Sequence, residues 1–390
     1  MNIINNPVQH NCIGCKRSFT AKYEIDLGDL PYYYGIDDVD LKLSFKEKFF
    51  PSRLVTCLLC GLTQQLLHED TTKATDLIYQ SKTAAVSTPM SDYGWGAVRA
   101  NQFFEQNNFI FSPNHVLEVG CQNGYLLYEL HKRGAKKLIG IEPSLQEPFE
   151  RDGFKANIYK ELFDSKRFKD VNFDTIISLF VLEHLQDPLY FLGSLEKILC
   201  KKGQIIIAIP NSNFQMEQGD PGLFIHEHLS HFNRLSLKNI FNLVGLRIVK
   251  YKETKSDIYL TAQKTISKIS SNQLINNTPD PLVNYSESLN KVLDNFIKNF
   301  NNLEKIGLWG ACPTAVNLVF MTKTNRYVLF DCDEKKQGNE ISGIKGIINS
   351  PSKKNIKTLV DKVCIIPLGF QKMIESSLQS YNIPYFLLFN

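Results

Sequence analysis

No stretch of this 390-residue chain comes near the roughly 18 consecutive apolar residues that a membrane-spanning helix needs. A charge of one sign is missing too. The chain carries 44 Lys and Arg against 40 Asp and Glu, a net charge of +4, with both signs mixed along its length. That balance argues against the broad basic field of a protein built around nucleic acid or an anionic membrane, so neither is expected as a partner. Residues 1–10 are polar and Asn-rich, without the apolar stretch of a signal peptide, and the expected compartment is the cytoplasm. No short-period repeat is present. What remains is ordinary globular composition, 43% hydrophobic and 22% charged, which supports a sizeable core and, at this length, two or three domains.

Cysteine is present, and its arrangement carries information. Four of the nine stand in two pairs, Cys12-x2-Cys15 and Cys57-x2-Cys60. In a reducing compartment, such pairs read as metal ligands before disulfides. A two-residue gap lets both sulfurs of a pair face one ion, and two pairs complete a tetrahedron with no position left for water. That pattern describes a structural zinc site. The other five, Cys121, Cys200, Cys312, Cys332 and Cys364, are expected to be small buried hydrophobes.

Three segments follow from the patterning. Residues 1–75 hold the cysteine pairs, a Gly28–Pro31 turn and the charged stretch Lys42–Lys48. Residues 76–264 begin with a helical connection over 78–105 carrying Tyr79, Tyr93, Trp95, Phe103 and Phe104. Apolar runs of strand length then alternate with helices: strands at Val116–Val119, Lys137–Ile141, Asp174–Leu179, Gln204–Ile209 and Leu246–Lys250, and helices at Tyr125–Arg133, Pro188–Cys200 and Leu237–Val244. A turn is expected at Lys201-Lys202-Gly203. Such alternation predicts a parallel sheet covered on both faces. After a Ser- and Asn-rich linker at Ser267–Asp280, residues 265–390 repeat it on a smaller scale. A helix covers Ser286–Asn301, and strands fall at Lys305–Trp309, Tyr327–Phe330, Val363–Pro367 and Tyr385–Phe389.

Residues 116–124 read Val-Leu-Glu-Val-Gly-Cys-Gln-Asn-Gly. A buried strand runs straight into Gly120 and Gly124, where the backbone can turn tightly and approach a ligand. Glu142 ends the next strand, where a carboxylate accepts hydrogen bonds from a ribose diol. The spacing from Glu118 through Gly120 to Gly124 is not that of a dinucleotide loop. It resembles the S-adenosylmethionine site of class I methyltransferases, which implies cofactor contacts from Glu118, Gly120, Cys121, Gly124, Glu142 and Phe180. A second cluster, His226-Glu227-His228-Leu229-Ser230-His231, lies between a strand end and a helix. It is a place suited to proton transfer near neutrality. For Glu183-His184, packing and helix entry are the expected roles.

Together these features resemble the nucleotide-sugar C-methyltransferases, which methylate C3 of 4-keto-6-deoxy sugars. The likeness runs through Cys12-Ile-Gly-Cys15 with Ile25-Asp26-Leu27-Gly28, through Phe50-Pro51 to Cys57-x2-Cys60-Gly61-Leu62-Thr63-Gln64, and through His226-Glu227-His228-Leu229-Ser230. It implies an α/β fold: a class I, Rossmann-like methyltransferase core between a small N-terminal four-cysteine zinc module and a second, C-terminal Rossmann-like α/β domain. It also implies His228 as general base with Glu227 beside it, a nucleotide-sugar partner, and structural Zn2+ on Cys12, Cys15, Cys57 and Cys60. Two other readings are an O- or N-methyltransferase on a sugar or another small metabolite, and an inactive zinc-bearing binding protein.

Overall fold

A computed structural model describes residues 2–4, 8–33, 35, 49–66, 68–80, 95–107, 114–274, 279–300 and 304–389. The stretch Lys42–Lys48, Tyr93 and part of the expected linker lie outside these residues. The helical connection expected over 78–105 is described at its two ends, in the helices Glu69–Gln80 and Trp95–Asn107.

The middle of the chain forms a seven-stranded sheet in the order Ile158–Tyr159, Lys137–Ile141, His115–Val119, Phe173–Leu179, Leu199–Pro210, Asp257–Lys264, Leu246–Glu253. Its inner strands are rich in Ile, Leu and Val that are fully buried, as strands covered on both faces must be. The first five strands in this order are joined by parallel pairing, with Val116–Val119 in register between Leu138–Ile141 and Thr175–Ser178. The all-parallel expectation fails at one edge, where Asp257–Lys264 is antiparallel to both of its neighbours. Only Thr254–Ser256 separate this strand from Leu246–Glu253. Three residues are too few for a crossover, so the chain reverses there as a hairpin, with the Thr254 amide donating to the Asp257 carbonyl at 2.8 Å.

The expected turn at Lys201–Gly203 is also absent as such. The strand Leu199–Pro210 runs through it, and the register jumps from Phe173 opposite Leu199 to Thr175 opposite Gln204, so these residues bulge out of the ladder. Helices Tyr125–Lys132, Pro188–Ile198 and Arg234–Leu243 pack against the sheet. Two of their starts are fixed locally. The Asp187 side chain accepts from the Tyr190 amide, with Pro188 in the first turn, and Asn233 and Ser236 form a reciprocal capping box.

The N-terminal sheet is antiparallel, in the order Asn2–Ile4, Glu24–Pro31, Phe49–Thr56, Thr63–Gln65, Ser230–His231. Its last strand comes from the middle segment, so the two segments share a sheet. They also share a core: Cys12, Cys15, Cys57, Cys60 and Leu62 are continuous with Phe232, Leu237, Ile240 and the central strands. The C-terminal sheet is parallel throughout, in the order Ile348–Asn349, Tyr327–Phe330, Ile306–Trp309, Lys362–Ile365, Tyr385–Leu387. It is tied to the middle segment through Asp220, whose carboxylate accepts from the Thr314 hydroxyl at 2.8 Å and whose carbonyl accepts from the Tyr285 hydroxyl at 2.9 Å.

Candidate active site and zinc site

Each cysteine pair sits on a tight turn after a strand. The Cys12 carbonyl accepts from the Lys16 amide at 3.0 Å, and the Cys57 carbonyl accepts from the Gly61 amide at 2.7 Å. Lys16 and Gly61, each just after the second cysteine of its pair, both adopt positive φ, 59° and 83°. The two turns are thus copies of one knuckle. All four thiols are buried. Sγ of Cys12 lies 3.6 Å from that of Cys60, and Sγ of Cys15 lies 3.8 Å from that of Cys57. These separations are far beyond a disulfide bond of about 2.05 Å. They match the edge of about 3.8 Å expected of a tetrahedron with Zn–S bonds of about 2.3 Å. The donor set fits zinc with every position closed. Of the other cysteines, Cys121 and Cys364 are buried as expected, but Cys200 and Cys312 are half-buried and Cys332 is exposed.

The glycine loop lies at the carboxyl edge of the central sheet. Gly120 has φ 78° and Gly124 φ 87°, and neither tolerates a Cβ. One at Gly120 would stand 2.4 Å from Cγ2 of Val181, and one at Gly124 would stand 2.6 Å from Cβ of Ala156. Cys121 is buried beneath the loop. The Glu142 carboxylate accepts from the Gln122 amide at 3.0 Å and from the Ser144 amide and hydroxyl at 3.0 and 2.6 Å. It therefore both anchors the loop and keeps acceptor capacity. Phe180 ends its strand at φ 57°, a conformation rare for an aromatic residue. Glu118 is buried next to the loop, and burial pushes its pKa up to about 8.

Arg99, from the helix Trp95–Asn107, was not singled out by sequence reasoning. Its guanidinium donates to the Leu179 carbonyl at 2.8 Å, lies 4.7 Å over the Phe180 ring, and lines one small cavity with Glu118, Gly120, Cys121 and Gln122. A lone arginine in a helix has no sequence signal that separates it from a surface residue. Its burial is visible only once the helix is placed on the sheet.

The histidine cluster divides by role. His226 is buried, stacked on Tyr32 with centroids 5.2 Å apart, and within 3.1 Å of the Phe50 carbonyl, so it belongs to the N-terminal sheet. His231 is buried in the strand Ser230–His231. His228 and Glu227 are half-buried. The His228 ring meets that of His184 edge to face, with centroids 4.8 Å apart. The short helical turn Leu182–His184 therefore brings Glu183 and His184 to the candidate base, although packing and helix entry were their expected roles. His184 Nδ1 lies 3.0 Å from the Glu227 carbonyl, and His184 Nε2 lies 3.7 Å from Glu183 Oε1. Burial lowers the His228 pKa well below its ordinary value, helped by His184 and His231, and burial raises that of Glu227 to about 7.

Residues 97–251 match the family described as methyltransferase domain. With the sheet order and the glycine loop, this match gives residues 97–251 the fold of a class I methyltransferase domain. It is similar to the tRNA U34 carboxymethyltransferase of Sulfurimonas denitrificans (strain ATCC 33889 / DSM 1251), with 35% identity over 108 residues, 26% of this chain and 36% of that protein. It is also similar to the tRNA U34 carboxymethyltransferase of Campylobacter hominis, with 30% identity over 141 residues, 35% of this chain and 47% of that protein. The chain spans less than half the length of these curated relatives. Among solved structures, a putative S-adenosylmethionine-dependent methyltransferase from Listeria monocytogenes aligns with TM-score 0.34 and 12% identity, over 43% of this chain and 99% of that one.

These relatives correct one expectation. Their names place them on tRNA, which overturns the exclusion of nucleic acid and the nucleotide-sugar partner expected with it. Net charge could not decide this, because +4 over the whole chain is an average and says nothing of one groove. No helix among the described residues is long and apolar enough to cross a membrane.

Proposed function

We propose that this chain transfers a methyl group from S-adenosylmethionine to the carbon beside the ketone of a deoxysugar, with His228 as general base. One observation carries the reading: the contact between His184 and His228 on a segment whose Val181 closes over Gly120. That contact supports a proton acceptor next to the donor loop. The bound donor supplies a methyl group activated on a sulfonium. Glu118, Gly120, Cys121, Gly124, Glu142 and Phe180 would hold it.

Arg99 adds the anchor. Its Nε is buried without a hydrogen-bond partner, and no carboxylate lies within ion-pair distance of it among the described residues. Burial drives Glu118 and Glu183, the two acids that weigh most on its charge, toward their neutral forms. A buried cation without a counter-charge is costly, so the site favours an anionic group there. The donor's carboxylate answers that need. His228 is uncharged at neutral pH and can accept a proton. Glu183 has a carboxyl oxygen within 4.8 Å of a ring nitrogen of both His184 and His228. A carbon acid beside a ketone, deprotonated here, becomes the enolate that attacks the methyl carbon. Cys12, Cys15, Cys57 and Cys60 would hold a zinc ion with a structural role.

The names of the relatives favour a second reading, modification of a tRNA base. Labelled donor is incubated with keto sugars, their reduced counterparts and tRNA. Label on keto sugars, with deuterium exchange at the carbon beside the ketone, supports the sugar reading. Label on tRNA alone overturns it.

A further inference from the structure

Glu183, His184 and His228 each offer one ligand atom, and these atoms lie within 4.8 Å of one another. Two imidazoles and a carboxylate form a donor set that transition cations favour, one that leaves a coordination position open. Two further observations point the same way. The Glu183 carboxylate is buried, 2% exposed, and neither of its oxygens has a hydrogen-bond partner. Its Oε1 lies 3.7 Å from His184 Nε2, a spacing compatible with two ligands of one ion. His184 Nδ1 faces the Glu227 carbonyl at 3.0 Å. A carbonyl only accepts, so the ring proton sits on Nδ1 and the Nε2 lone pair points toward Glu183. A backbone carbonyl holding the far ring nitrogen is the usual outer support of a metal-bound histidine.

We infer that Glu183, His184 and His228 form a second metal site, distinct from the four cysteines, which takes a divalent transition cation such as Zn2+, Co2+ or Ni2+. The inference rests on the proposed function in one respect: a bound cation occupies the lone pair that His228 needs as a base, so occupancy inhibits methyl transfer.

Protein isolated with zinc on its cysteines is titrated with Co2+ and followed by visible absorption and calorimetry. One further equivalent is expected to bind, with the ligand-field bands of a nitrogen and oxygen set and no thiolate charge-transfer band. Glu183→Gln and His184→Gln should each weaken binding by at least the roughly 10–100-fold typical of losing an outer-shell partner, with unchanged circular dichroism. His231→Gln, which removes a histidine outside the set, should leave it intact. Absence of the second equivalent, a thiolate signature, or binding indifferent to both Glu183→Gln and His184→Gln overturns the site. Binding without inhibition leaves the site standing and instead overturns the role of His228 as base.

Discussion

Replacing Arg99 by methionine keeps the length of the side chain and removes its charge and its fork of donors. Two losses follow. The Leu179 carbonyl loses the donor 2.8 Å away, a cost of about 1–3 kcal/mol that relief of the buried charge offsets in part. The second loss is in binding. A hydrogen bond to a charged group contributes about 1.5–3 kcal/mol, and about 1.4 kcal/mol is tenfold in affinity, so the Kd of S-adenosylmethionine should rise roughly 10–100-fold. Calorimetric titration with the donor and with its demethylated product measures this. Both ligands carry the same carboxylate, so both should weaken alike. Arg99→Lys, which restores the charge without the fork, should recover part of the loss. A donor Kd within a factor of about three of the parent value in a folded Arg99→Met protein would refute the reasoning, as would a loss for only one of the two ligands.

Replacing His228 by alanine should lower kcat by about 10²–10⁴-fold while leaving donor affinity unchanged; turnover near the parent's in a labelled-donor assay removes His228 from the mechanism. Cys57→Ser should reduce zinc content and destabilise the fold by a few kcal/mol, hence lower Tm by at least roughly 5 °C, read by metal analysis and thermal melts. Glu118 gives a pH dependence of defined sign. Its folded pKa, about 8, lies above the unfolded value of about 4.3, so its contribution to stability is present below the unfolded pKa and is lost as pH rises through 8. Glu118→Gln should therefore gain stability relative to the parent between about pH 6 and 9, by a few kcal/mol in urea unfolding; an equal difference at both pH values counts against it.

The parts of the molecule that were legible in the sequence are those with a local cause. The strands around Gly120, Glu142 and Phe180 announce themselves by short apolar runs, and Cys12, Cys15, Cys57 and Cys60 by their spacing. What stayed hidden is made by distant partners. Ser230–His231 is a strand only because it pairs with Thr63–Gln64. Glu183 and His184 read as a helix entry until the fold sets His184 on His228. The hairpin of Leu246–Glu253 and Asp257–Lys264 was half seen, because its second strand carries Thr261, Gln263 and Lys264 among its apolar residues and lacks a clean apolar run.

The loop that carries His228 is held from outside its own segment. The Gln65 side chain donates to the carbonyls of Ile225 and His228, the Gln65 amide donates to the Leu229 carbonyl at 3.0 Å, and the side chains of Asn233 and Asn239 donate to the carbonyls of Gly61 and Cys60 at 2.8 and 3.1 Å. The strand Thr63–Gln65, which directly follows the second cysteine knuckle, thus clamps the His228 loop in place. Were that knuckle oxidised or stripped, the loop would lose its support from a distance, with every side chain on it still present.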